Sequence, residues 1–192
     1  MTRAMGLLVA VLRCVVLIGW AVDSERLTRL CLDCVSMKPL TALGFILAGL
    51  GVGVLYSKHR LACDAQAATG GILLMSTSWA VLGQLGFATA MIVQDDGHLS
   101  PVPGVPSLGA MAGFLLISVA LFGRALHDDY FRGRLTRACG WVLLAIGGVA
   151  LAGYALSAPS LYYYRAGNST ALAVHSAIGL CLLGTGMAWG RR

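Results

Sequence analysis

Charge is what this chain has least of. Of its 192 residues, 11 % are Asp, Glu, Lys or Arg, against roughly 25 % in a soluble domain. So few charges cannot cover a water-facing surface, which excludes an ordinary cytosolic enzyme, a nucleic-acid-binding domain and a disordered segment. Acids are scarcer than bases, 8 against 14. Asp23, Glu25, Asp33, Asp64, Asp95, Asp96, Asp128 and Asp129 all fall in loops between apolar runs. No carboxylate is therefore expected at membrane depth, where a proton-coupled carrier or pump needs one facing its pathway. A nucleotide loop, a Gly-x-Ser-x-Gly elbow and a His-Glu-x-x-His helix are missing too. No two histidines share a helix depth suited to axial haem ligation. No cofactor, metal or nucleic-acid partner is expected, and no enzymatic activity.

What remains is apolar, 58 % of the chain with a mean hydropathy of +0.80. A bilayer-spanning helix takes about 20 such residues. Six stretches qualify: Ala4–Val22, Pro39–Tyr56, Ala68–Val93, Ser107–Leu126, Ala138–Ser157 and Thr170–Gly190. The expected fold is all-α, a single polytopic membrane domain with short connections. The first stretch is read as a retained helix, because Arg13 interrupts it and no small-x-small cleavage site precedes Asp23.

Orientation follows from the cations. Arg3, Lys58, Arg60, Arg124, Arg132, Arg134, Arg137, Arg191 and Arg192 fall on the side of the N-terminus, and Arg26, Arg29, Lys38 and Arg165 on the other. Positively charged loops stay inside, so both termini are expected in the cytoplasm, in a multi-pass protein of the bacterial inner membrane. Trp20, Trp141 and Trp189 lie near span ends, where amphipathic rings favour the headgroup layer. The inner Arg cluster attracts anionic membrane lipid, at about 1 kcal/mol per cation.

The even-numbered spans align without gaps. Thr41-Ala42-Leu43-Gly44-Phe45, Ala110-Met111-Ala112-Gly113-Phe114 and Ser176-Ala177-Ile178-Gly179-Leu180 superpose three glycines, and Gly49, Ser118 and Gly184 follow at the same distance. Each is preceded by an outer loop and an apolar helix of opposite direction. The unit is a two-helix hairpin used three times in one orientation, as in parallel repeats about the membrane normal. Gly44, Gly49, Gly113, Gly179 and Gly184 are expected at close helix contacts, since lipid supplies no hydrophobic drive between helices.

The stretch Ser36-Met37-Lys38-Pro39-Leu40-Thr41-Ala42-Leu43-Gly44-Phe45 resembles a segment of the membrane-embedded input regions of bacterial sensor histidine kinases and diguanylate cyclases. The last hairpin is similar to their final span, from Gly153-Tyr154 through Ala158-Pro159-Ser160-Leu161-Tyr162 to His175-Ser176-Ala177-Ile178-Gly179-Leu180. The resemblance implies a sensory module. Those receptors continue into a kinase or cyclase domain, which does not follow here, so a protein partner in the membrane or cytoplasm is expected to carry the output.

Candidate site residues are few. Arg13 lies inside a span, where a cation costs about 2.5–3.5 kcal/mol on insertion scales. It either snorkels to the cytoplasmic headgroups or meets Gln84, the Ser76–Ser78 cluster, backbone carbonyls, an anionic ligand or a lipid headgroup. His175, about five residues into the sixth helix, makes either an interhelical hydrogen bond or a ligand contact. Tyr162, Tyr163 and Tyr164 form an interfacial belt or cap a shallow outer cavity. Cys31 and Cys34, as Cys-x-x-Cys on the outer side, are a staple, free thiols or a redox- or metal-responsive pair. The leading reading is an inner-membrane sensory or regulatory module. An accessory subunit of a larger membrane complex is second, and a small transporter or channel third. Sidedness is testable: after reduction, a membrane-impermeant maleimide is expected to label Cys31 and Cys34 in intact cells and to spare Cys63. The opposite pattern inverts the topology.

Overall fold

A computed structural model describes residues 1–28, 35–55, 60–84, 106–123, 129–163 and 171–190. Among them the protein is all-helical. The helices are α1 (Thr2–Ala21), the one-turn α2 (Glu25–Thr28), α3 (Pro39–Gly53), α4 (Arg60–Gln84), α5 (Leu108–Phe122), α6 (Asp129–Ala155) and α7 (Val174–Ala188), with a 3-10 turn at Pro159–Leu161. Two helical segments, Thr2–Ala21 and Gly133–Ala155, are long and apolar enough to cross a membrane.

The helices differ from the expected spans in an instructive way. α3, α5 and α7 are each 15 residues long, about 22 Å at 1.5 Å per residue, short of a 30 Å hydrocarbon core. Their stretches continue into non-helical entry segments such as Val35–Lys38 and Ala171–Ala173. α4 and α6 begin at Arg60 and Asp129, well before the expected Ala68 and Ala138. Helical propensity carries them past the apolar window, so Asp64 and Asp129 are helical and not in loops, as is Glu25 in α2. The part of the third expected span beyond Gln84 lies outside the described residues.

The packing is ordered by hairpin. α1 lies against α3, α4 against α5, and α6 against α7. α1 also contacts α7, α4 contacts α3, and α6 contacts α5, while α3, α5 and α7 touch one another. Each outer helix thus bridges its own inner helix and that of another hairpin. In α1, Gly6, Val9, Arg13 and Val16 are buried, whereas Leu7, Val11, Val15 and Ile18 are exposed. The buried face of α1 mixes glycine, valine and one arginine, while its exposed face is a row of large apolar side chains.

The three inner helices share their frame. N-caps Lys38, Ser107 and Ala173 all have an extended backbone, and the C-caps are Val54, Gly123 and Trp189, which coincide when the three aligned glycines are superposed. Those glycines take the next residue of a neighbouring helix in a closed cycle. A Cβ on Gly179 would lie 3.0 Å from the Phe45 ring, one on Gly44 2.6 Å from the Phe114 ring, and one on Gly113 would collide with Leu180. Phe45 and Phe114 meet edge to face, centroids 5.0 Å apart.

The first and third hairpins correspond down to single hydrogen bonds. α1 ends with Ser24 N–H donating to Gly19 C=O at 2.8 Å, and α6 with Ala158 N–H donating to Gly153 C=O at 2.8 Å. Asp23 and Ser157 hold the left-handed conformation this ending requires, at φ 53° and 52°. Trp20 Nε1–H then donates to Met37 C=O at 2.8 Å, and Tyr154 Oη–H to Leu172 C=O at 3.0 Å. Inside each hairpin the backbones touch through glycine. A Cβ on Gly49 would lie 3.1 Å from Ala10 N, and one on Gly184 would lie 2.7 Å from Gly140 O and 2.9 Å from Leu144 N. Gly184→Ala is therefore expected to destabilise the protein by about 2 kcal/mol. Gly148→Ala, whose Cβ meets nothing within 4 Å, is expected to be neutral or mildly stabilising. Thermal unfolding of both variants in detergent checks the pair.

Candidate functional site: a buried arginine between the first and last helices

α1 and α7 run antiparallel. Near one end Thr2 Oγ1–H donates to Gly186 C=O at 2.8 Å. The same number of residues further along each helix, Arg13 Nη2–H donates to His175 C=O. Arg13 is 2 % exposed, so it does not snorkel to headgroups. Its guanidinium carbon stands 5.2 Å from the Phe45 ring centroid, a cation–π geometry worth about 2 kcal/mol when desolvated. Gly179 makes this possible, since a Cβ there would lie 2.5 Å from Nη2.

Of the anticipated polar partners, the Ser76–Ser78 cluster is engaged within its own helix. The hydroxyls of Ser76 and Thr77 donate to Leu73 C=O and that of Ser78 to Leu74 C=O, all within α4. Hydroxyls at such positions satisfy their own helix first. A backbone carbonyl was among the expected acceptors and is the one used. Arg13 Nε is buried without a hydrogen-bond partner, and so is His175 Nδ1. Among the described residues no carboxylate pairs with the guanidinium.

His175 is the second residue of α7 rather than the fifth, because residues 171–173 lie outside the helix, up to the Ala173 N-cap. That N-cap offers no side-chain acceptor to the first-turn amides, in contrast to Ser107, whose Oγ accepts from Ala110 N–H in α5.

Tyr162 and Tyr163 do not join this cluster among the described residues. Tyr162 stacks on Tyr154 at 4.0 Å between centroids, Tyr163 lies 5.3 Å from Tyr162, and Leu172 N–H donates to Tyr162 C=O. Burial, and then the neighbouring Tyr162, raise the Tyr163 hydroxyl above its ordinary pKa, so it stays protonated. Tyr164, Cys31, Cys34 and the Gln84 side chain lie outside the described residues. Trp141 and Trp189 pair edge to face at 4.4 Å.

Sequence reasoning passed over the outer-helix half of each close contact, Gly6 and Gly140, and the aromatic latches Trp20 and Tyr154. The signal was present: Gly19-Trp20-Ala21 and Gly153-Tyr154-Ala155 align, and the same offset superposes Gly6 on Gly140 and Arg13 on Gly147. No protein-family model, curated protein or solved structure matches this chain.

Gly179→Ala is expected to lower stability by about 2 kcal/mol by displacing both the guanidinium and Phe45. In a double-mutant cycle with Arg13→Met, part of that loss is expected to return as a coupling of about 1 kcal/mol. Strict additivity in thermal unfolding would mean that Arg13 does not occupy the space above Gly179.

Proposed function

We propose that this chain is a six-span module of the bacterial inner membrane, with both termini cytoplasmic and three hairpins repeated about a common axis. We further propose that it works as a sensory or regulatory component through a protein partner. The exposed apolar row of α1, the exposed Met75 and Trp79 of α4 and Trp141 of α6, and the matched caps of the inner helices support the architecture. The resemblance to input regions of sensor kinases and cyclases supports the class of function.

One observation carries the regulatory reading. The first and last hairpins are joined by a buried cation held by a backbone carbonyl and an aromatic face. Any displacement of α7 relative to α1 separates Arg13 from His175, so occupancy or deformation near this contact changes the packing of the whole ring. A signal that opened this contact would give it two states, which is what biasing a distant partner requires.

The accessory-subunit reading draws on the same exposed apolar faces, which suit either lipid or a neighbouring subunit. Tagged wild-type protein is expected to copurify with one stoichiometric partner whose activity changes several-fold in an Arg13→Met strain. A partner whose activity ignores that substitution favours the accessory subunit. Loss of the protein without effect on any partner or phenotype counts against both.

A further inference from the structure

We propose that the inner-leaflet corner of α6 and α7 is a docking site for one anionic phospholipid. Arg134 and Arg137 meet its phosphate, and Trp141 and Trp189 lie against its glycerol and upper chain. Arg134, Arg137 and Trp141 are all exposed. Spacings of three and four residues put them on one face of α6, one above another. Trp189, the C-cap of α7, meets Trp141 edge to face with centroids 4.4 Å apart, so the face continues onto the second helix. Both indoles stay half open to the surroundings, at 53 % and 51 %. Arg137 Nε–H donates to Gly133 C=O, one turn nearer the helix start, at 3.3 Å. That bond carries the guanidinium away from the rings and toward the headgroups.

Depth and charge select lipid as the occupant. α1 runs for 20 residues, about 30 Å and the thickness of a hydrocarbon core. Thr2-Arg3-Ala4-Met5-Gly6 and Thr136-Arg137-Ala138-Cys139-Gly140 align at the offset that matches Gly6 to Gly140. In α6 the same length therefore runs from Thr136 to Ala155, with Arg137 at its boundary. At 1.5 Å per residue Arg134 stands about 3 Å beyond Thr136, inside a headgroup layer roughly 5–7 Å deep. Indole rings favour that boundary, and a guanidinium matches phosphate through paired donors. The first hairpin supplies a contrast within the same molecule. It has Arg3 where the third has Arg137, but Leu7 in place of Trp141 and Val54 in place of Trp189. A cation alone attracts any anionic surface, whereas cations above a pair of rings hold one lipid in place. The inference rests on the membrane-embedded reading and its orientation but not on any regulatory role.

The test uses the full chain in phosphatidylcholine nanodiscs at physiological salt and reads quenching of tryptophan fluorescence. A small fraction of the lipid is replaced by phosphatidylglycerol carrying bromine near the headgroup, or by phosphatidylcholine brominated in the same way. The wild type is expected to prefer the phosphatidylglycerol about fivefold or more, the worth of one well-placed cation. With Arg134→Gln and Arg137→Gln combined, both at exposed positions, the preference is expected to vanish. Arg3→Gln, which removes a cation of equivalent depth in the first hairpin, is expected to retain it. Equal quenching by the two lipids in the wild type overturns the inference. So does a loss in Arg3→Gln as large as in the double variant, which would mean that net charge alone draws the lipid. Quenching by brominated phosphatidylcholine reports insertion separately; its absence would overturn the membrane-embedded reading and the lipid site with it.

Discussion

Two helices reach backbone contact here where glycine removes a side chain, and the first and third hairpins depend on that constraint. At Gly6 and Gly49, and again at Gly140 and Gly184, the chain removes the Cβ from both sides of the same interface. The carbonyl of one helix then lies where a methyl group of the other would stand. Close approach of this kind multiplies weak dispersion contacts, the main attraction left to helices when the surroundings are as apolar as their side chains. The first and third hairpins are drawn together this way; in all three, the inner helix presents a glycine and a large residue in succession, and the inner helices interlock through Phe45, Phe114 and Leu180.

Much of this was legible in the residues. The gap-free alignment of Gly44, Gly113 and Gly179 located three helices whose caps fall at corresponding positions. Arg13 and His175 were singled out by cost and by depth. Their meeting was not legible, because pairing between the first and last helices depends on which hairpins are neighbours in the ring, and no local pattern encodes that. Helix limits were misplaced for a physical reason. Hydropathy measures the apolar stretch, whereas α4 and α6 extend through polar turns, and α3 and α7 start only after an extended approach. The paired latches at Trp20 and Tyr154 escaped notice because Trp and Tyr differ as letters. Both nevertheless offer a hydrogen-bond donor at the edge of a ring.

Against the correspondence of the first and third hairpins, one difference carries a charge. Arg13 replaces what is Gly147 in the other copy, and it brings a full charge to a seam where the remaining contacts are glycine, carbonyl and aromatic. The fold absorbs that charge locally, with one carbonyl and one ring face, and leaves a donor over. Hairpins that correspond in their caps and contacts make such departures conspicuous. Where one copy shows that the structure closes without a feature, the feature in the other copy calls for a different explanation.

The hydrogen bond from Arg13 to His175 spans 162 residues and that from Thr2 to Gly186 spans 184. Both polar groups of α1 therefore wait for α7 before they find these acceptors. Until α7 is in place, the Arg13 cation lacks the carbonyl it donates to. The settling of α1 is thereby tied to a helix made long after it.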